Sequence, residues 1–359
     1  MFFKLKDFKT HVMNTSNPIK MLTRVLCLFT ASIFPCLMAT PKPLPHAPAH
    51  HRGEPFRIVA YFSGWGPVSK IKFDYITTLD FAFLKPMPDA TIATNDTASY
   101  NKLYDIVAKA HAAHVKVIAS IGGQYTDKTF GTISASPDLT RKFVQTLLDQ
   151  VDKYHLDGID LDWEYPSLTD NGVESGHQLD LIKALSTALH ARGKELTAAV
   201  AAKPRWGALV LDATVSMLDY INIMDYDQVE DPTRLNHSSY AFAVEGLNYW
   251  IRDRHVPSDK CVLGVPTYGR AKGVVPPYYH DLIDHGADPN ADSLTSAAYK
   301  NIPVYYNGKV LMAAKTELAL RECGGIMIWE VNGDTDDPET SLIHVIAEKA
   351  KGKMIREKR

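Results

Sequence analysis

The chain has 359 residues, of which 45% are hydrophobic and 22% are charged. This composition is ordinary for a folded globular protein, and the length suffices for one large domain or two medium ones. The formal net charge is −2, so no overall field draws the chain to nucleic acid or to an anionic membrane. The function is therefore expected to reside in a local site.

The first 55 residues differ in composition from the rest. Lys20 and Arg24 precede an apolar run over 25–39 that ends in Ala39, a pattern typical of a secretory signal peptide. The run is short for a membrane span and is interrupted by Pro35. We expect a signal peptide or leader over 1–39, with an uncleaved amphipathic leader as the alternative. A Pro- and His-rich linker follows over 40–55. The protein is then secreted or periplasmic, without stable membrane insertion once the leader is removed.

Segments with strand and helix character alternate from residue 56 to residue 352, ahead of a basic tail over 353–359. The strand patterns occupy 57–63, 75–84, 115–121, 156–165, 196–202, 220–226, 262–268 and 325–331. The helix patterns occupy 98–113, 137–154, 176–192, 210–218, 239–254, 313–322 and 341–351. Eight strands in strict alternation predict an α/β fold, a (β/α)8 TIM barrel forming a single catalytic domain over 56–352. A doubly wound open sheet is the alternative, although no Gly-rich phosphate loop follows the first strand.

The most informative stretch is the fourth strand pattern. Apolar residues at 159, 161 and 163 alternate with Asp160, Asp162 and Glu164, here called the acidic ladder. A period of two predicts one apolar face and one acidic face. Strands of parallel barrels are normally apolar on both faces, so acids that point into the barrel are costly and indicate a functional site. Asp157 has the opposite parity, and we expect a structural role for it.

The acidic ladder suits acid–base chemistry. Barrel active sites lie at the carboxyl ends of the strands, so we expect Glu164 at the mouth, Asp162 one layer below and Asp160 deepest. Like charges this close cannot all ionise, and one carboxyl group keeps a proton. Glu164 is then the natural proton donor, while Asp162 orients a neighbouring group. Binding of Mg²⁺ or Ca²⁺ is the competing interpretation, but no His of matching parity stands nearby, and we expect neither a metal nor another cofactor.

Three other strand ends carry aromatic and polar side chains. They are Met224, Tyr226 and Asp227 at the sixth strand, Tyr268 and Arg270 at the seventh, and Trp329 at the eighth. Each alone is more typical of core packing than of ligand binding. Together they predict a carbohydrate site, because aromatic faces stack on pyranose rings while acids bind the hydroxyl groups.

These residues resemble the motifs of glycoside hydrolase family 18, the chitinase family. Residues 157–164 (DGIDLDWE) match the DGxDxDxE signature in full, 120–123 (SIGG) match SxGG, and 224–227 (MDYD) match MxYD. Residues 264–270 and 327–330 match the seventh- and eighth-strand motifs. The resemblance covers about 56–352, and so many motifs in the correct order are not expected by chance.

The resemblance implies a chitinase that cleaves β-1,4-linked N-acetylglucosamine polymers or oligomers by a retaining, substrate-assisted mechanism. It implies that Glu164 protonates the glycosidic oxygen and later activates water. Asp162 would hold the acetamido N–H with Asp160 buried behind it, and Tyr226 would bind the acetamido oxygen. Further substrate contacts would come from Trp329, Asp227, Met224, Arg270, Tyr268, Tyr61 and Phe83. We expect chitin or a related oligosaccharide as the partner, no nucleic acid, and a monomer.

Two departures from the family pattern bear on the substrate. Gln124 follows the SxGG motif where the family often has Trp, which removes one aromatic sugar contact. The segment over 271–306 is too short for a large α+β insertion, so we expect a shallower cleft that favours endo cleavage or shorter oligosaccharides. The alternatives are an endo-β-N-acetylglucosaminidase acting on N-glycans or peptidoglycan, and a chitin-binding, lectin-like protein. The presence of Glu164, Asp162 and Tyr226 argues against the lectin.

Overall fold

The computed structural model describes residues 55–93, 97–228 and 235–354. The leader predicted over 1–39 and nearly all of the linker predicted over 40–55 lie outside these residues, as does most of the basic tail. Within the described part of the chain, no helix is both long and apolar enough to cross a bilayer.

Eight parallel strands form a closed barrel. Its members are β1 Arg57–Ser63, β2 Thr78–Leu84, β3 Lys116–Gly122, β4 Gly158–Asp162, β5 Glu195–Ala201, β6 Tyr220–Met224, β7 Cys261–Pro266 and β10 Gly325–Trp329. Each strand pairs with its neighbours in chain order, and β10 closes the sheet against β1. The predicted barrel is confirmed, and the open sheet is excluded by this closure.

Helices separate the barrel strands and cover their outer faces. They are α1 Thr97–Ala112, α2 Asp127–Ser134, α3 Pro137–Tyr154, α4 Val173–His190, α5 Pro204–Gly207, α6 Asp212–Ser216, α7 Tyr240–Leu247, α8 Tyr279–Asp284, α9 Lys309–Glu322 and α10 Leu342–Met354. The helix predicted over 239–254 is α7 followed by a π-helical turn, Asn248–Asp253. Three short helices, α2, α5 and α8, were not predicted.

Helix α3 illustrates how the sequence sets an element's limits. The Ser136 side chain accepts a hydrogen bond from the Leu139 backbone N–H, and Pro137 occupies the first turn, where its missing N–H costs nothing. His155 ends the helix in the left-handed conformation, with φ of 57°. The helix buries Phe143, Leu147, Leu148, Val151 and Tyr154, and its bounds agree with the predicted 137–154.

Strand β4 ends earlier than predicted. Its pairing with β3 stops at Gly122 opposite Asp162, and its pairing with β5 stops at Leu161. Beyond that point no neighbouring strand is in register, so Glu164 lies on the loop that follows the strand. The predicted alternation nevertheless holds: Trp163 is buried outside the barrel, where its ring stacks on Phe130 at 5.2 Å.

The segment over 271–306 contains little regular structure. Besides α8, it forms a two-stranded antiparallel sheet from β8 Ser293–Leu294 and β9 Val304–Tyr305. The end of this segment returns to the barrel, because the backbones of Arg270 and Tyr305 exchange hydrogen bonds of 2.8 and 2.9 Å. The predicted lack of a large α+β insertion is thus confirmed.

Candidate active site

A cavity of about 810 Å³ lies at the carboxyl ends of the barrel strands. Its walls bring together nearly all of the residues that the sequence predicts for the site. They are Asp162, Glu164, Tyr226, Trp329, Asp227, Met224, Arg270, Tyr268, Tyr61 and Phe83. Asp160 does not reach the cavity, because it lies deeper in the barrel and is fully buried.

Strand register holds Asp160 at the bottom of the acidic ladder. Ser120 on β3 and Thr197 on β5 lie directly opposite Asp160 on β4, so their side chains point into the same layer of the barrel. Both hydroxyl groups donate to the Asp160 carboxyl group at 2.7 Å, and the Tyr61 hydroxyl donates to it at 2.8 Å. Burial raises the pKa of Asp160, although these three hydrogen bonds oppose the rise.

Tyr61 supports the ladder as well as lining the cavity. It is only 2% exposed, and its hydroxyl, besides donating to Asp160, accepts a hydrogen bond from Asn222 at 3.0 Å. Asn222 also reaches Asp80, a second acid buried in the barrel interior, at 3.3 Å. Burial raises the pKa of Asp80 well above its ordinary value. The sequence patterns did not reveal Asp80, because it is the single acid of its strand and forms no alternating pattern.

The two upper rungs have far fewer hydrogen-bond partners. Asp162 is 4% exposed, and its Oδ1 atom has no hydrogen-bond partner among the described residues. Burial raises its pKa well above the ordinary value, and the charges of Glu164 and Asp160 raise it further. Burial, reinforced by the charge of Asp227 and opposed by Lys85, raises the pKa of Glu164 to about 7. Glu164 can therefore carry a proton near neutral pH.

Asp227 has the opposite electrostatic character. Its carboxylate accepts hydrogen bonds from the Tyr268 hydroxyl at 2.6 Å and from Arg270 Nε at 2.7 Å, and Arg270 Nη2 lies 2.6 Å from its second oxygen. His237 Nδ1 lies 3.5 Å from the same carboxylate. Burial alone would raise the pKa of Asp227, but contacts with His237, Arg270 and Tyr268 outweigh it and hold this pKa well below 3.8. We call these four residues the Asp227 cluster.

Aromatic rings form the floor and walls of the cavity. The Trp329 ring meets Tyr61 edge-on at 5.5 Å and leans against Phe83 at 5.6 Å. The Tyr226 hydroxyl makes one distant contact, 3.9 Å to the Met327 sulfur, which leaves it available to a ligand. Such a surface can pack against a sugar ring while the acids beside it bind polar groups.

Several residues that line the cavity were missed in the sequence. Tyr165 and Trp206 stack at 5.2 Å, and Trp65 and Tyr125 are largely exposed at its rim. Lys85, which directly follows β2, also lines the cavity. Lys85 could have been predicted from the sequence, because it comes immediately after a barrel strand and such positions lie at the active-site end of the barrel. Trp206 lies in a loop helix, where the patterns offered no signal.

The described residues contain no group of three or more His, Cys, Asp or Glu side chains arranged to hold a metal ion. The acids of the ladder lie in successive layers of the barrel. The lowest of them, Asp160, already accepts hydrogen bonds from three hydroxyl groups. The arrangement supports proton transfer and hydrogen bonding to a ligand.

Comparisons with known proteins agree with this geometry. A family model described as "Glycosyl hydrolases family 18" matches residues 57–334. A chitinase-like effector from Moniliophthora roreri is 32% identical over 58% of this chain, and the match spans only 57% of that relative's length. Chitinase 1 from Aphanocladium album is 25% identical over 78% of this chain and 82% of its own.

A solved structure shows the same architecture. The chitinase ChiB from the chitin utilization locus of Flavobacterium johnsoniae superposes with a TM-score of 0.71 at 28% identity, covering 83% of this chain and 95% of that chain. Because the family model spans most of the described barrel, including the acidic ladder and the Asp227 cluster, this chain belongs to glycosyl hydrolases family 18.

Proposed function

We propose that the protein is a chitinase that hydrolyses β-1,4 linkages between N-acetylglucosamine residues. The observation that carries the proposal is that Glu164 and Asp162 line the same aromatic cavity. The pKa of Glu164 is raised to about 7, and the Oδ1 atom of Asp162 has no hydrogen-bond partner among the described residues. Glu164 can donate a proton near neutral pH, while Asp162 retains an oxygen free to accept a hydrogen bond.

The chemistry follows from these two groups. Glu164 gives its proton to the glycosidic oxygen as the bond from that oxygen to the anomeric carbon breaks. The substrate's acetamido oxygen forms a bond to the anomeric carbon, giving an oxazolinium ion, and Asp162 accepts the acetamido N–H. Ionised Glu164 then takes a proton from water, whose oxygen attacks the anomeric carbon and releases the acetamido group. Two displacements at one carbon retain its configuration.

The remaining residues bind and orient the sugar. Trp329 lies beneath the sugar at the −1 site, Tyr226 donates to the acetamido oxygen, and Asp160 supports Asp162 from below. The wall is completed by Met224, Phe83, Tyr61, Asp227, Tyr268 and Arg270. The short 271–306 segment supports an open cleft suited to endo cleavage. The leader pattern supports secretion, and we expect a monomer, which size-exclusion chromatography with light scattering would test.

The test is a comparison of products from chitin oligomers, N-glycans and peptidoglycan incubated side by side. We expect cleavage of the chitin oligomers, with the β-anomer formed first. Release of N-glycans or peptidoglycan fragments alone would instead identify an endo-β-N-acetylglucosaminidase. Tight binding without cleavage of any of the three would indicate a lectin-like protein, and either result would contradict the proposal.

The matching variant is Glu164→Gln, which keeps the shape of the side chain but removes its proton transfer. We expect kcat to fall about 10²- to 10⁴-fold while oligosaccharide binding persists. Glu348→Gln, an exposed change on α10, is the control and should retain full activity. Hydrolysis at the wild-type rate in Glu164→Gln would remove Glu164 from the mechanism.

A further inference from the structure

Lys85 is a cation at the mouth of the barrel that the mechanism above does not use. It follows the last residue of β2 directly, and β2 and β4 flank β3 on either side. Although exposed at the surface, Lys85 lines the same cavity as Asp162 and Glu164. Its position at a strand end places it among the groups that surround the reacting atoms.

The ammonium group of Lys85 is anchored on two sides. Its Nζ atom donates to the Gly122 carbonyl oxygen at 2.9 Å and lies 4.8 Å from the centre of the Phe83 ring. The hydrogen bond ties the flexible side chain to the end of β3, and the ring contact adds a cation–π attraction. Lys85 is thus held in one place, which a solvated surface lysine would not be.

The anchoring carbonyl belongs to a turn that packs on the acidic ladder. Gly122 has a φ of 119°, and a Cβ atom there would lie 2.2 Å from the Asp162 carbonyl oxygen. The N–H of Gly123 donates to the same oxygen at 3.0 Å. This turn therefore links the Lys85 ammonium to the backbone of Asp162, two residues before Glu164.

The charges around the ladder are unevenly distributed. The charged groups that line the cavity together with Glu164 are Asp162, Asp227, Glu330, Lys85, Lys203, Arg205 and Arg270, and the charge of the buried Asp160 acts on Asp162 from below. Arg270 is paired with Asp227, while Lys203 and Arg205 lie over the Phe242 and Trp206 rings. Of the described cations, Lys85 is the one whose charge lowers the pKa of both Asp162 and Glu164.

We propose that Lys85 is a positioning residue for the catalytic pair: its anchored ammonium supplies a positive field that favours the ionised form of Asp162 and the release of the proton from Glu164. The proposal rests on the proposed hydrolytic function, and it adds a residue to that site. When a sugar fills the cavity and displaces water, the field strengthens, because the effective dielectric constant between the charges falls.

The direct test is a carboxyl titration followed by NMR with ¹³C-labelled Glu, using Glu164→Gln to assign the Glu164 signal. In Lys85→Met the pKa of Glu164 should rise by about 0.5 to 1, because a neighbouring positive charge is lost. Lys85→Arg should restore the wild-type pKa. Lys142→Met, which removes an exposed positive charge outside the cavity, should leave it unchanged.

Kinetics give the second measurement. We expect the alkaline limb of the kcat profile of Lys85→Met to move upward by about 0.5 to 1 pH unit, with kcat at pH 5 reduced about 3- to 10-fold. A raised KM with an unchanged pH profile would instead make Lys85 a sugar-binding residue and overturn the proposal. So would an unchanged Glu164 pKa. Because the titration needs no turnover, an inactive wild-type protein would contradict the proposed function and still leave the role of Lys85 decided.

Discussion

Glu164 and Asp227 line the same cavity and are both partly buried, yet their pKa values shift in opposite directions. The described residues offer the Glu164 carboxyl group no hydrogen bond, and burial raises its pKa to about 7. Asp227 lies against Tyr268, Arg270 and His237, and its pKa is held well below 3.8. The number of hydrogen-bond donors and cations around an acid therefore decides whether it keeps a proton, whereas its burial alone does not.

In the proposed mechanism, this difference gives the two acids different roles. An acid that must give up a proton is best left without donors, so that its charged form is costly until the substrate develops positive charge. An acid that must stay ionised to hold a ligand needs a cation and hydroxyl donors around it. Asp160 shows the intermediate case, because its three hydroxyl donors oppose a rise in pKa that burial still dominates.

The largest expected effect on stability comes from breaking the Asp227 cluster. Asp227→Asn should lower the free energy of unfolding at pH 7 by about 1–3 kcal/mol, because Arg270 loses its ionised partner. About a third of each of the two side chains is exposed, so the loss should be smaller than for a fully buried ion pair. Urea unfolding at pH 7 and pH 3 measures it.

The sign of the pH dependence checks the cause. The pKa of Asp227 is lower in the folded protein than its ordinary value of 3.8, so its stabilisation is complete above that pH and is lost as the pH falls further. The deficit of Asp227→Asn should therefore narrow at pH 3. The same variant should lower the pKa of Glu164, whose rise Asp227 supports, and move the alkaline limb of activity downward. A deficit that is equal at both pH values would contradict this account.

Glu164→Gln should have a smaller effect on stability, and of opposite sign. The pKa of Glu164 rises from 4.5 to about 7 on folding, so the wild-type protein loses stability as the pH rises between those values. The variant should be more stable than wild type by about 1–2 kcal/mol at pH 8 and equal to it at pH 4. Urea unfolding at both pH values, with Glu348→Gln as the control, measures the difference. A variant with the same stability as wild type at pH 8 would contradict the prediction.

The smallest effect is expected for one donor of the Asp227 cluster. Tyr268→Phe removes the hydroxyl that donates to Asp227 at 2.6 Å, and should cost about 0.5–1.5 kcal/mol of stability at pH 7. Tyr299→Phe is the matched control, because the Tyr299 hydroxyl has no hydrogen-bond partner among the described residues. Equal losses in the two variants, measured by thermal unfolding, would show that the hydrogen bond contributes nothing.

The sequence was sufficient for the barrel and for the order of the ladder. Alternation of strands and helices predicts parallel pairing, and a period of two places Asp160 and Asp162 inward and Trp163 outward, as the burial pattern and the Phe130 contact confirm. The fourth strand was predicted too long, because its end depends on where β3 and β5 stop pairing. That information lies in residues distant along the chain.

The sequence predicted that one acid of the ladder keeps a proton, but the hydrogen-bond donors that set the charge state of each acid were beyond the reach of sequence patterns. The donors to Asp160 come from β1, β3 and β5, and those to Asp227 come from the segment that follows β7. A single Lys after a strand, such as Lys85, has the sequence character of a solvated residue until its anchor on Gly122 is known. Contacts of this kind depend on closure of the barrel, which brings together residues far apart in the chain.

The backbone bridge between Arg270 and Tyr305 has a consequence for how such enzymes can diversify. Both ends of the intervening segment are secured beside the barrel, so residues between α8 and β9 can vary in length while the guanidinium group stays on Asp227. Cleft depth could then be engineered by grafting longer segments between Asp284 and Val304. A graft that retained the bridge should alter the preferred oligosaccharide length and preserve the pH profile, whereas a shifted profile would show that depth and chemistry are not separable.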